Sequence, residues 1–147
     1  MRQIIKEPMS FVKKIFNSKR NPKEIKKTYI SWIPLTSLSQ LEEIKQQSNS
    51  EVIAVFKHST RCGISRMVLK QFENSVKSGT ASFKAYYLDL LAYRAISDEV
   101  ATIYQITHQS PQIIFIKSGL VLRHASHYEI TQLNIQELLE NQPKLPF

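Results

Sequence analysis

Short runs rich in β-forming residues alternate with stretches of helical apolar spacing, and this alternation restricts the possible folds more than any other feature. Residues 52–56 form a continuous apolar run, which is typical of a strand buried on both faces of a sheet. Residues 62–77 then carry apolar side chains at helical spacing, and Ser78-Gly79 is expected to end that helix. The same patterns predict further strands at 29–32, 83–90, 112–116 and from 120 onward, and helices at 37–47, 97–105 and 134–139.

Capping and turn residues set the expected boundaries of several elements. Pro34 is expected to stop the first strand, and Ser97 is expected to be the N-cap of the helix that follows the third strand. Ser118-Gly119 is expected to form a turn between the last two strands. Asn134 followed by Glu137 resembles a capping box and predicts the start of the last helix.

The predicted order of elements is β-α-β-α-β-α-β-β-α. Such alternation favours a parallel core sheet with helices on its faces, and the late hairpin adds an antiparallel edge. This arrangement resembles the thioredoxin fold. We therefore expect an α/β protein whose residues 29–147 form a thioredoxin-like domain, with a mixed central sheet flanked by helices.

The positive charge is concentrated at the N-terminus. Residues 1–28 hold nine basic and two acidic residues, so they contribute +7 (9 − 2) of the formal net charge of +8. This segment is expected to be a partly helical or flexible basic arm, which either docks on its own domain or contacts an anionic membrane or nucleic acid. Because the chain begins with charged residues and has no apolar run of about 20 residues, we expect a cytoplasmic protein without a membrane span.

The chain contains one cysteine, Cys62, which excludes an intramolecular disulfide framework and a structural zinc site with several cysteines. No metal site is expected from the histidines, since His124 and His127 lack clustered carboxylates or further thiols around them. Cys62 lies between the predicted buried strand and the start of a predicted helix. Backbone N–H groups and the positive end of a helix stabilise a thiolate at such a position, which indicates a reactive cysteine.

The neighbours of this cysteine favour the same chemistry. Lys57, His58 and Arg61 are basic residues just upstream, and they are expected to stabilise a thiolate. Gly63 has no side chain beside the sulfur, which eases the approach of another sulfur atom. Ser65 lies three positions after the cysteine, where its hydroxyl is expected to donate a hydrogen bond to the thiolate.

Two resemblances make this interpretation more specific. The string Cys62-Gly63-Ile64-Ser65 resembles the Cys-Gly-Phe-Ser loop of monothiol glutaredoxins. A wider pattern consists of Lys57 to Ser65, Trp32-Ile33-Pro34-Leu35 upstream and His108-Gln109-Ser110-Pro111-Gln112 downstream. This pattern resembles the monothiol bacilliredoxin-like proteins of the bacillithiol redox system. The resemblance implies a thiol-disulfide oxidoreductase with Cys62 as nucleophile, S-thiolated client proteins as partners, bacillithiol as co-substrate and no other cofactor. It also implies that Ser110-Pro111 is the cis-proline loop that lies against the active-site sulfur.

Two other functions remain open at this point. By resemblance to the monothiol glutaredoxins, Cys62 can ligate an iron–sulfur cluster shared between two subunits. A non-catalytic binding module that works through the basic arm is the other alternative. If the protein does exchange thiols, it has no second cysteine to resolve its own mixed disulfide, so another thiol molecule or protein must regenerate Cys62.

Overall fold

The computed structural model describes residues 29–76, 80 and 83–142. The basic arm predicted for 1–28 and the helix end predicted at Ser78-Gly79 lie outside these residues. The described strands are Trp32–Pro34 (β1), Ile53–His58 (β2), Lys84–Asp89 (β3), Gln112–Lys117 (β4) and Leu120–Ser126 (β5). The described helices are Ser39–Gln47 (α1), Gly63–Ser75 (α2), Arg94–Tyr104 (α3) and Ile135–Glu140 (α4), with a 3₁₀ helix at His127–Gln132. Each helix in this part of the chain is too short or too polar to cross a bilayer.

The five strands form one mixed sheet in the order β1-β3-β2-β4-β5. The first three strands in this order are parallel, while β4 runs antiparallel to both β2 and β5. The predicted alternation of strands and helices and the predicted antiparallel hairpin are thus confirmed. Since β2 ends where β4 begins, the segments that follow β2 and precede β4 lie at the same end of the sheet.

The central strand β2 is buried at all six of its residues, as its apolar run predicts. Its side chains alternate between two apolar layers on opposite faces of the sheet. Phe56 packs in one layer against Phe72 of α2. Val55 packs in the other layer with Val100 of α3. The helix that follows β2 and the helix that follows β3 therefore cover opposite faces.

The two outer strands are β1 and β5. The first strand ends at Pro34, as expected, but it covers Trp32–Pro34 and not residues 29–32, and Pro34 itself pairs with Tyr87. β1 has β3 as its neighbour along one edge and no strand of this sheet along the other. Pro34, which has no N–H group to donate, is therefore tolerated in this outer strand. At the opposite edge, the pairing of β5 with β4 shifts register between Phe115 and Ile116.

The position of Ser97 corrects a second expectation. Ser97 is not the N-cap of α3, because that helix begins at Arg94 and Ser97 lies buried inside it. Its N–H donates to the carbonyl of Tyr93, as in a continuing helix. The helix starts earlier than its capping signal because Ile96 and Val100 begin an apolar stripe that packs on the sheet.

In the last third of the chain, the predicted turn and the predicted helix cap are both present. Ser118 and Gly119 both have positive φ, of 52° and 72°, as a tight hairpin turn requires. Asn134 caps α4, since its side-chain oxygen accepts from the N–H of Glu137 at 3.2 Å. The 3₁₀ helix was not predicted. It begins at His127, which has a φ of 54° and donates its N–H to the carbonyl of Pro111.

Candidate functional site

Cys62 occupies the N-cap of α2, four residues after the end of β2, as its position in the sequence predicts. Its carbonyl accepts the first helical hydrogen bond, from Arg66 at 3.1 Å, and its thiol is free and half-buried. The first turn of α2 contains no acidic residue. The sulfur therefore lies at the end of the helix where unpaired N–H groups and the helix dipole favour a negative charge.

A buried hydrogen bond ties the end of β2 to the first turn of α2. Nδ1 of His58 lies 2.7 Å from the hydroxyl oxygen of Ser65, and the N–H of Ser59 donates to the same oxygen at 3.2 Å. Ser65 is fully buried and neither of these contacts involves the sulfur of Cys62, so the structure does not show the expected bond to the thiolate. The hydroxyl instead closes the loop that carries the cysteine.

His58 is in an apolar setting that disfavours its charged form. Its ring lies 5.5 Å from that of Tyr87 and 6.5 Å from that of Phe56. Burial lowers the pKa of His58 below 6.5, and Arg66 lowers it further, against the opposing effect of Asp89. His58 is therefore a neutral hydrogen-bonding residue at neutral pH, and not the cationic neighbour that the sequence suggested.

Ser65→Ala is expected to lower the free energy of unfolding by about 1–3 kcal/mol, because it leaves Nδ1 of His58 without its buried partner. Urea unfolding measures this change. Ser75→Ala is the matched control on the same helix, since the Ser75 hydroxyl bonds only to a helix carbonyl and is exposed. Equal effects of the two substitutions would contradict the role assigned to the Ser65 bond.

Lys57 faces the other side of the sheet from His58 and does not act on Cys62 as expected. Its side chain is fully buried, and its ammonium donates to the carbonyl of Ser97 at 3.0 Å. It also lies 3.3 Å from Nδ1 of His108. Burial lowers the pKa of Lys57 from 10.5 to about 8, and the nearby carboxylate of Asp98 partly offsets this effect.

The lowered pKa predicts a pH dependence of stability. A base with a lower pKa in the folded state opposes folding while it is charged, so this penalty is full below about pH 8 and disappears by about pH 10.5. The free energy of unfolding of the wild type should therefore rise relative to that of Lys57→Met over this interval, by about 2 kcal/mol once solvent screening is allowed for. Urea unfolding at pH 7 and pH 10.5 tests this. A constant difference between the two proteins would show that the ammonium is not buried as described.

Arg61 and Gly63 flank the cysteine on its open side. Both are exposed, and a Cβ atom added at Gly63 would meet nothing within 4 Å. Packing against the described residues therefore does not require a glycine here, and these residues leave the space beside Gly63 open to an incoming group. Among the residues that the structure describes, Arg61 forms no salt bridge, so its charge is available at the same surface.

The bond between Ser110 and Pro111 is cis, as the resemblance implied. Gln112 pairs with Lys57 near the end of β2. The cis-proline therefore lies at the same end of the sheet as residues 59–62, the Cys62 loop, which connect β2 to α2. The hydroxyl of Ser110 is buried and has no hydrogen-bond partner among the described residues. The structure thus brings the Cys62 loop and the Ser110-Pro111 loop, both predicted from the sequence to belong to the site, to one end of the sheet.

Sequence reasoning missed the cluster of Lys57, Ser97 and His108. The sequence predicts Ser97 as a helix cap and Lys57 as a cation that stabilises the thiolate of Cys62, whereas Lys57 contacts Ser97 and His108. A signal was present, since consecutive strand residues must point to opposite faces and His58 and Lys57 cannot both face the cysteine. No group of three or more histidine, cysteine, aspartate or glutamate side chains converges as a metal site in the described part of the chain.

Known structures share this fold. A candidate oxidoreductase with a thioredoxin fold matches with a TM-score of 0.59 and 28% identity, over 67% of this chain and 85% of the other. The thioredoxin of Trypanosoma brucei brucei matches with a TM-score of 0.57 and 18% identity, over 77% and 91% of the two chains. The Malassezia sympodialis thioredoxin matches with a TM-score of 0.56 and 19% identity, over 72% and 93%. The fold is therefore the thioredoxin fold.

The family comparison is more specific than the fold. The family model described as monothiol bacilliredoxin BrxC matches residues 33–135, well over half of the 147 residues, and this range includes both the Cys62 loop and the cis-proline loop. It describes proteins with a single active thiol, which agrees with a chain that has one cysteine, placed at the start of a helix. A thiol redox function follows, and the chain belongs to the monothiol bacilliredoxin family.

Proposed function

We propose that this protein removes bacillithiol, or a similar low-molecular-weight thiol, from mixed disulfides on client proteins. The observation that carries the proposal is the placement of the chain's single thiol, Cys62, at the N-cap of α2 and at the same end of the sheet as the cis-proline loop. The family match supports thiol redox chemistry, and bacillithiol is the small thiol to which the family name points.

The exchange is a single displacement at sulfur. The thiolate of Cys62 attacks the sulfur of the small thiol, a new disulfide forms between them, and the bond to the client sulfur breaks. The client sulfur leaves as a thiolate and takes a proton from water. One disulfide replaces another, so no external oxidant or reductant takes part. The end of α2 favours the attacking anion, and the open space at Gly63 admits the client.

The cis-proline loop adds a polar group at the same end of the sheet. Ser110 precedes the cis bond, and its buried hydroxyl has no partner within the described residues. A polar group without a partner costs free energy, and a bound thiol or client backbone that hydrogen-bonds to it recovers that cost. Arg61, which is exposed beside the sulfur, favours ligands with a negative charge.

Transfer of the small thiol is tested by intact mass. The purified protein is incubated with a test protein carrying bacillithiol on one cysteine, and in parallel with the same test protein carrying glutathione. We expect this chain to gain the mass of bacillithiol at Cys62 while the client loses it, with less transfer from the glutathione form. Transfer from neither form would overturn the proposal, and preferential transfer of glutathione would overturn the assignment of bacillithiol.

A further inference from the structure

The buried lysine of β2 takes no part in the exchange described above. Lys57 is fully buried, yet its nearest hydrogen-bonding partners are the carbonyl of Ser97 and the imidazole of His108, and neither is a carboxylate. Among the described residues it forms no salt bridge. Burial of an ammonium with neutral partners opposes folding, so the position of this side chain calls for a role other than stability.

While Lys57 is charged, its contact with His108 determines which ring nitrogen of His108 carries the proton. An ammonium has donors and no lone pair, so Nδ1 of His108 must accept from Lys57 and the ring proton is on Nε2. The hydroxyl of Ser97 lies 3.2 Å from the same Nδ1. Burial lowers the pKa of His108 below 6.5, and the charges of Lys57 and Arg94 lower it further, while Asp98 opposes them. The pair therefore holds one positive charge and not two.

This pair connects the two halves of the candidate site. His108 lies in the segment between α3 and β4, three residues before the cis-proline. Lys57 is the neighbour of His58, which holds the Cys62 loop through Ser65 on the other face of the sheet. Two adjacent residues at the end of β2 are thus bonded to the two segments that carry the cysteine and the cis-proline.

We propose that Lys57 is a positioning residue for thiol exchange, which acts through His108 to hold the Ser110-Pro111 loop in place opposite the Cys62 loop. The inference rests on the proposed function. It predicts that loss of the Lys57 contact impairs reactions that need both loops and spares reactions that need only the sulfur.

Lys57→Met tests this separation, because methionine has a similar length and no charge. We expect transfer of bacillithiol from a modified client to slow by roughly 10- to 100-fold, since small displacements of positioning groups have effects of this size. Alkylation of Cys62 by iodoacetamide should stay within about twofold of the wild type, since the His58–Ser65 bond that holds its loop is intact. Lys117→Met is the matched control, a strand lysine at the opposite end of the sheet, and should leave both rates unchanged.

Substitutions of His108 keep the test valid if Lys57→Met does not fold. His108→Asn retains an acceptor near the position of Nδ1 and should preserve most of the transfer rate, whereas His108→Leu should reproduce the loss. The ring signals of His108 in NMR spectra report the contact directly, and its pKa should rise toward 6.5 in Lys57→Met.

Three results would overturn the inference. They are transfer by Lys57→Met at the wild-type rate, equal slowing of transfer and alkylation, and a His108 titration that does not respond to Lys57→Met. Absence of transfer by the wild type overturns the proposed function instead. The His108 titration then still decides whether Lys57 controls this residue.

Discussion

Cys62→Ser is expected to abolish transfer of the small thiol, with a loss of at least about 10³-fold in rate. The thiolate is the nucleophile in disulfide exchange, and a serine hydroxyl is not ionised at neutral pH. No other cysteine exists in the chain to replace it. Intact mass of both proteins after incubation with the bacillithiol-modified client measures the loss.

The control for this substitution must show that the fold is intact. Cys62 is half-buried at an N-cap, where serine is a preferred residue, so the circular dichroism spectrum and the unfolding midpoint should change little. Ser39→Ala, at the start of another helix, should transfer at the wild-type rate. Transfer by Cys62→Ser above the background without protein would show that the reaction does not pass through this sulfur.

Phe72→Ala is expected to lower the free energy of unfolding by about 3–5 kcal/mol. The side chain is fully buried beneath α2, with its ring 5.9 Å from that of Phe56 and 6.3 Å from that of Trp32. Removing it leaves a cavity between the sheet and the helix that carries the cysteine. Since small domains are stable by about 5–15 kcal/mol in total, urea unfolding should show a large shift of the midpoint.

Met67→Ala is the matched control on the same helix. Met67 is 40% exposed, so its loss should cost less than about 1 kcal/mol. Similar losses for both variants would contradict the assignment of Phe72 to the core. Because Cys62 lies at the start of α2, the rate of its alkylation should also be higher in Phe72→Ala than in Met67→Ala.

Elements with strong local signals could be predicted from the sequence. The apolar run of β2, the Ser118-Gly119 turn and the Asn134 cap each depend on interactions within a few residues, and the structure confirms all three. The cysteine at the start of α2 followed from the same kind of reasoning. The cis bond before Pro111 was inferred from a family resemblance, since an X-Pro bond alone favours trans.

Features that depend on tertiary contacts could not be predicted in the same way. Ser97 carries a good capping side chain, but the packing of Ile96 on the sheet starts the helix earlier and buries the serine. Lys57 sits in a strand buried on both faces, and such a strand has no polar alternation to show which way a side chain points. The partner of Lys57, His108, is 51 residues away in the sequence.

The two outer strands have a consequence for the colloidal behaviour of the protein. Exposed strand edges offer N–H and C=O groups on which other chains add, and such addition leads to aggregation. β1 is three residues long and ends in a proline, while β5 has a register shift beside it and exposes Arg123 and His124. Neither edge is a flat template for another strand. The sheet of this protein thus discourages lasting, non-covalent adhesion between copies at high concentration.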